Sequence, residues 1–236
     1  MARISLVQVV VDDLLDRIIS GTLPIDAGLP SEAEIGASHQ VSRMTVREAI
    51  KTLQAQGVIR VESGRGSFVN PVATWTSIDA VLRYAVAGSG DSDVAVHLVE
   101  VRRLFETGAA ALAALSRTEA DLAELGAQLT LMRDAHTDND VQKFVDADIA
   151  FHDVILHASG NVFLGVMFRP LTRILTERRA QTSRVPEIQS HAIAEHQGIL
   201  DAITAGDAEA SRLAMDSHMD QTLDDLRHYV LEPPKK

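Results

Sequence analysis

Nine His and 33 Asp or Glu are spread through a 236-residue chain that has no Cys, so any metal chemistry rests on imidazole and carboxylate alone. An acid four residues before a His, the spacing that puts both on one helix face, occurs at Asp93/His97, Asp148/His152, Asp153/His157, Glu187/His191 and Asp224/His228. Spacing repeated that often selects nothing, whereas burial does. Asp148 and His152 lie in line with Phe144, Phe151 and Ile155, and a carboxylate and an imidazole on an apolar stripe must pair with each other or bind something. His196 likewise interrupts a stripe of Ala192, Ile193, Ile199, Leu200 and Ile203, and His218 follows Ala214 and Met215. The four residues make either a divalent-metal site with positions open to water or a carboxylate ligand, or four separately satisfied polar groups. Arg102, set among Leu98, Val99 and Phe105, either forks onto a ligand carboxylate or pairs with Glu106 one turn on. Asn161, at a loop-to-helix junction, is a helix cap or a ligand contact.

A second chemistry sits near the N-terminus. The formal charge of −11 looks wrong for a nucleic-acid partner, yet residues 1–75 hold seven Lys or Arg against eight Asp or Glu, so most of the acidity lies downstream. Between Val41 and Gly66, Arg43, Arg47, Lys51, Arg60 and Arg65 face only Glu48 and Glu62. Ser42, Arg43, Thr45 and Arg47 crowd one expected helix start, where hydroxyls, guanidinium forks and free backbone N–H groups meet phosphate and base edges together. Arg there opposes the helix dipole, a cost an ordinary surface helix avoids. The same residues also suit a solvated basic face.

The elements that would position these groups are helical. The chain is 46% hydrophobic, 23% charged and only 4% aromatic, which excludes a disordered tail protein and disfavours a β-sandwich or barrel. The sequence shows neither a membrane-length apolar run nor a signal peptide, and the missing Cys suits a reducing, cytoplasmic setting. Helical periodicity covers Leu6 to Ile19. Ser31-Glu32-Ala33-Glu34 is a capping box opening a short helix, Gln40-Val41 is a turn, and Ser42 caps a third helix that Gly57 stops. Residues 58–61 and 67–69 are β-prone runs around a glycine turn. Three helices and a hairpin form a winged helix-turn-helix. Further helices are expected at Ser77–Val86, Asp93–Leu115, Glu119–Ala135, Asn139–Ala158, Val162–Gln181, Ile188–Ala205 and Ala208–Val230, bracketed by stops at Gly88, Gly90, Gly160 and Gly206. The fold class is mainly α: an N-terminal winged helix-turn-helix in residues 1–71 (helix-turn-helix about 31–56, wing 58–69), then an all-α bundle. Residues 72–90 are a linker with a connecting helix, 91–231 the all-helical domain, and 232–236 a frayed tail ending Pro233-Pro234-Lys235-Lys236.

The run Leu29-Pro30-Ser31-Glu32, then Val41-Ser42-Arg43-Met44-Thr45-Val46-Arg47-Glu48-Ala49, Leu53, Gly57-Val58-Ile59 and Gly64-Arg65-Gly66-Ser67-Phe68-Val69 resembles the winged helix of the GntR family of bacterial transcription regulators. The resemblance implies that Arg43, Thr45 and Arg47 face the operator and that the wing tip at Gly64-Arg65 reaches the minor groove. The family usually has Arg after Leu-Pro-Ser-Glu, where this chain has Ala33. If that missing contact is to phosphate, the salt slope falls by about one phosphate equivalent. Downstream, Glu100-Val101-Arg102 with Glu106, Asp148 with Phe151-His152, Ser159-Gly160-Asn161, Glu195-His196 with Ile199-Leu200, and His218 resemble the FCD effector domain of the FadR subfamily. That resemblance implies a divalent metal, zinc first and nickel or manganese as alternatives, on Asp148, His152, His196 and His218. It also implies a small organic or sugar acid as effector, held by Arg102 and Asn161, rather than an acyl-CoA.

The expectation is a non-enzymatic regulator, a repressor released by a small carboxylate, acting as a homodimer on palindromic double-stranded DNA and away from membranes, since one winged helix reads only a few base pairs. Two other readings stand beside it. One is a metal-dependent enzyme on a small organic acid, with Asp146 or Asp153 as general base; the other is a ligand-independent DNA-binding protein.

Overall fold

The computed structural model describes residues 5–89 and 91–231, in two compact units, Met1–Val94 and Ala95–Lys236. Gly90 and the Pro233-Pro234-Lys235-Lys236 tail lie outside the described residues.

In the first unit, Ser5 caps α1 (Leu6–Ile19), whose Val10, Val11, Leu14, Leu15 and Ile18 are buried. The expected capping box opens α2 (Glu32–His39): Ser31 N donates to Glu34 Oε2 at 2.8 Å and Glu34 N to Ser31 Oγ at 3.3 Å. Gln40, at φ 54°, turns the chain toward α3 (Arg43–Ala55), whose Val46, Ala49, Ile50 and Leu53 lock onto α1 and Ile35. Strands β1 (Ile59–Glu62) and β2 (Gly66–Val69) pair antiparallel, with Ile59 opposite Val69 and Glu62 opposite Gly66. The Pro24 to Pro30 loop does more than connect. Asp26 N donates to Val69 O at 3.0 Å and Leu29 N to Ser67 O at 2.8 Å, so this loop covers the outer edge of β2. Helix α4 (Ile78–Ser89) is fastened to α1: Arg83 spans Asp12 (2.8 Å) and Asp16 (2.6 Å), while Tyr84 packs edge-on against Trp75.

The second unit is all helix: α5 (Asp91–Ser116), which begins just before the division, then α6 (Glu119–Thr137), α7 (Val141–Ala158), α8 (Val162–Thr182), α9 (Pro186–Ala205) and α10 (Ala208–Asp225), with a π-helical stretch over Leu226–Leu231. Packing of α6 on α7 and α9, and of α9 on α10, buries Leu125, Leu129, Met132, Phe144, Phe151, Ile155, Ile199, Ile203, Met215 and Met219. Several helix ends differ from expectation: α4 runs through the expected stop at Gly88 to Ser89, α5 begins at Asp91 and α6 continues to Thr137. Asn139 adopts φ 57° and leaves Asp140 to cap α7, α9 starts two residues early because Pro186 fits a first helical turn, and the α-helical geometry of α10 ends at Asp225. Among the described residues no helix is long and apolar enough to cross a membrane.

Gly57 has φ +71°, and a Cβ there would stand 2.5 Å from the Thr74 carbonyl oxygen; Gly64 has φ +73° with open space around it. Gly57→Ala is therefore expected to destabilise the N-terminal unit by roughly 2 kcal/mol or more, and Gly64→Ala by about 1 kcal/mol, from backbone strain alone. Denaturant unfolding of both variants checks the order; equal losses would remove the steric argument at Gly57.

Candidate metal centre and nucleic-acid interface

The exposed start of α3 is shaped by what lies beneath it. With Val46, Ala49 and Ile50 buried, Arg43, Met44 and Arg47 turn outward. Ser42 Oγ accepts from Thr45 N at 3.1 Å and lies 2.9 Å from Thr45 Oγ1, so both hydroxyls are engaged with the cap. Arg47 Nε donates to Glu32 Oε2 of α2 at 2.9 Å. On the wing, Arg65 pairs with Glu62 and lies over the Phe68 ring, its side chain 72% exposed. Two of the guanidiniums expected at the DNA are thus paired with carboxylates, Glu32 and Glu62, an arrangement that hairpin and helix assignments did not reveal. Sequence reasoning also passed over Met44, an apolar side chain 61% exposed between Arg43 and Thr45.

In the second unit the structure gathers the four expected ligand residues. Asp148 and His152 come from successive turns of α7, His196 from α9 and His218 from α10, and all four are buried. The His196 and His218 rings are 4.6 Å apart, His152 and His196 5.0 Å, and His152 and His218 5.3 Å, centre to centre. One nitrogen from each ring lies within 4.8 Å of the others. His196 Nδ1 donates to Ala192 O at 2.6 Å, which leaves its Nε2 as a bare lone pair 3.4 Å from Asp148 Oδ1. Among the described residues, neither that nitrogen nor either nitrogen of His218 has a hydrogen-bond partner. A lone pair facing a carboxylate oxygen in a buried space is repulsive unless a cation lies between them, and this donor set of imidazoles and one carboxylate suits a divalent ion.

Around the cluster stand residues that tune it. Arg102 Nε donates to Glu106 Oε1 at 2.7 Å, so the pairing one turn along α5 is made. The same guanidinium places Nη2 3.1 Å from His152 Nε2, while Glu106 Oε2 is 2.6 Å from His152 Nδ1. The ring of His152 is thus gripped from both sides by α5. Arg179 of α8, buried, sets its Nε 2.7 Å from Asp148 Oδ2. Sequence reasoning missed Arg179 because Glu177-Arg178-Arg179 reads as a solvated charge run. Asn161 accepts from Phe163 N at 3.1 Å, capping α8. It lines a cleft of about 560 Å³ with Asp153 and Arg169, and none of the three clustered His lines that cleft. Asp146, bound by Gln142 at 2.9 Å, and Asp153 are both exposed on other faces of α7, so the two general bases that an enzyme would need do not face the cluster.

Burial pushes the His196 imidazole down to about 3, against the pull of Asp148, and carries His218 well below its ordinary value. Burial would raise the Asp148 carboxyl, but Arg179, with His196 and His152, holds it below the usual carboxylate range. In the unfolded chain an imidazole takes up its proton near pH ~6.5. Below that pH the unfolded state binds more protons than the folded one, so stability is full above about pH 6.5 and falls as the pH drops toward 3. Denaturant unfolding of chelator-treated protein from pH 7 to 4 is expected to show this loss, with a shallower slope for His196→Gln; a wild-type stability that stays flat over that range would contradict it.

The chain was compared with known proteins. The family described as "Bacterial regulatory proteins, gntR family" matches residues 6–69, and the FCD domain family matches residues 97–221. The chain is 32% identical to the HTH-type transcriptional regulator LutR of Bacillus subtilis (strain 168), over 91% of this chain and 98% of the relative. It is 29% identical to the galactonate operon transcriptional repressor of Escherichia coli (strain K12), over 84% of this chain and 86% of the relative. The solved structure of a Streptococcus agalactiae GntR protein superposes with a TM-score of 0.51 at 25% identity, covering 92% of this chain and 99% of that one. With a winged helix in front of an all-helical FCD bundle, and regulators rather than enzymes as its relatives, the chain belongs to the FCD-containing, FadR-type branch of the GntR family of bacterial transcription regulators.

Proposed function

We propose that this DNA-binding regulator is a repressor, dimeric on a palindromic operator, that lets go of DNA when a small organic or sugar acid binds at a divalent metal in the FCD domain. The observation that carries the metal is the bare His196 Nε2 facing Asp148 Oδ1, beside an unpartnered His218, in a fully buried space. Asp148, His152, His196 and His218 would hold the ion, with zinc best suited to imidazole donors and nickel or manganese the alternatives. A bound ion supplies a centre of positive charge that a carboxylate or hydroxyl oxygen can ligate. Taking the His152 nitrogen that Arg102 now contacts would release that guanidinium to fork onto the acid's carboxylate. The relative named for a galactonate operon supports both the repressor sign and the sugar-acid class.

On the DNA side, Arg43 and Arg47 would read base edges or phosphates from α3, Ser42 and Thr45 would fix the helix start, Met44 would meet a thymine methyl, and Gly64-Arg65 would carry the wing to the minor groove. The route between the domains runs along the chain. Arg102 and Glu106 sit on α5, α5 follows α4 directly in the chain, and Arg83 pins α4 to α1 of the winged helix. An effector that favours one arrangement of this route by a few kcal/mol shifts operator occupancy.

Arg43→Ala and Arg47→Ala are each expected to weaken specific operator binding by ~1 to 3 kcal/mol with the fold intact, and Arg65→Ala to act more uniformly across sequences. Gel-shift titration at fixed salt checks this; unchanged affinity removes the residue from the reading set.

Purified protein is expected to carry about one divalent ion per chain and to melt lower after chelation, His196→Ala to lose the ion, and Arg102→Ala to keep ion and operator affinity but lose release by the acid. Elemental analysis and operator release by a panel of small acids, D-galactonate, L-lactate, succinate and L-malate, run for each variant, test the reading. An ion-free protein even after incubation with zinc, nickel or manganese would end the metal claim. A normal response in Arg102→Ala would leave Arg102 as the partner of Glu106 alone, and DNA binding indifferent to metal and acids would favour the ligand-independent reading.

A further inference from the structure

The buried charges around the histidine cluster go further than one carboxylate anchor. Arg179 is 7% exposed, and its Nη2 is buried without any hydrogen-bond acceptor, although its Nε sits 2.7 Å from Asp148 Oδ2. A guanidinium carries five N–H donors in a fixed fork, and one left buried and unpaired is costly unless an oxygen arrives to take it. Among the described residues that make ion pairs at the cluster the charges balance, Arg102 and Arg179 against Glu106 and Asp148, with imidazoles that must be neutral to ligate a metal. A divalent ion adds two positive charges to that buried volume. An acid with one carboxylate leaves one of them uncompensated, and an acid with two compensates both. The two guanidiniums reach α7 four residues apart, Arg179 at Asp148 and Arg102 at His152, a rise of about 6 Å that suits a short ligand.

We infer that the effector is a short dicarboxylate, of the four-carbon kind, with one carboxylate forked by Arg102 and the other by Arg179 across the metal-bearing histidines. The inference rests on the metal reading above and names the ligand class and a second anchor for the same site. Arg179 is then a binding residue, and its bond to Asp148 is what holds its fork in place before the ligand comes.

The experiment is calorimetric titration of zinc-loaded, full-length protein with L-malate, succinate, L-lactate and D-galactonate, after elemental analysis has fixed the zinc content. L-malate is expected to bind at least tenfold tighter than L-lactate or D-galactonate, with succinate also ahead of both. In Arg179→Gln, still carrying one zinc per chain, the malate affinity is expected to fall to that of lactate while lactate affinity stays put. A monocarboxylate that binds wild type as tightly as malate overturns the inference without any variant, and so does a malate preference that survives in zinc-loaded Arg179→Gln. A wild type that takes up no zinc overturns the metal reading itself and the inference with it, which the elemental analysis shows before any acid is added.

Discussion

An imidazole lone pair held 3.4 Å from a carboxylate oxygen, in the buried centre of a helical bundle, is the contact on which the effector domain turns. His196 cannot relieve it by turning, because its other nitrogen is committed to the Ala192 carbonyl. Nor does protonation relieve it near neutral pH, because burial opposes the charged imidazole. A cation from outside, as in the proposed metal reading, would relieve it. The surrounding groups enclose it: Arg179 balances Asp148 from α8, Glu106 and Arg102 grip His152 from α5, and the Phe151 ring packs against His196 with centroids 4.5 Å apart. Burying so many polar groups costs stability, and such clusters are retained where they do something other than stabilise.

The winged helix follows a different logic, that of groups kept exposed. Its core is apolar and continuous from α1 through α3 to the hairpin, so the polar chemistry is all on the outside. There the caps and ion pairs pre-shape the reading surface: Ser42 fixes the start of α3, Glu32 holds Arg47, and Glu62 holds Arg65. An acidic chain thus carries a local basic face whose arginines are paired with carboxylates, and phosphate contacts of the proposed kind would take those carboxylates' place.

Much of this was legible in the residues, and the exceptions have physical causes. Helix existence followed from period and caps, because Ser31 with Glu34, Ser42 and Gly57 act within a few residues of themselves. For Asp148, His152, His196 and His218 the apolar stripes left two readings open, one site or four separate polar groups, and it was the resemblance to the FCD domain that grouped them. Arg179 was not legible, since whether a charge in Glu177-Arg178-Arg179 faces in or out depends on the packing of α8 against α7, which no local signal encodes. The loop pairing at Asp26 and Leu29 escaped for a similar reason: Pro24, Gly28 and Pro30 announce a turn, while the edge of β2 that it covers lies some forty residues away. Arg102 stood undecided between Glu106 and a ligand, and the structure shows it touching both Glu106 and His152, a three-way contact that spacing along one helix cannot express.

The most direct measurement is X-ray absorption at the metal edge of protein loaded with one equivalent of zinc. The account predicts a first shell of nitrogen and oxygen at about 2.0 to 2.1 Å, with outer-shell scattering from three imidazoles, and loss of one imidazole's scattering in His218→Ala. A zinc spectrum with fewer than two imidazoles, or one unchanged by that substitution, would place the ion elsewhere and leave the lone pair of His196 without the partner on which this account depends.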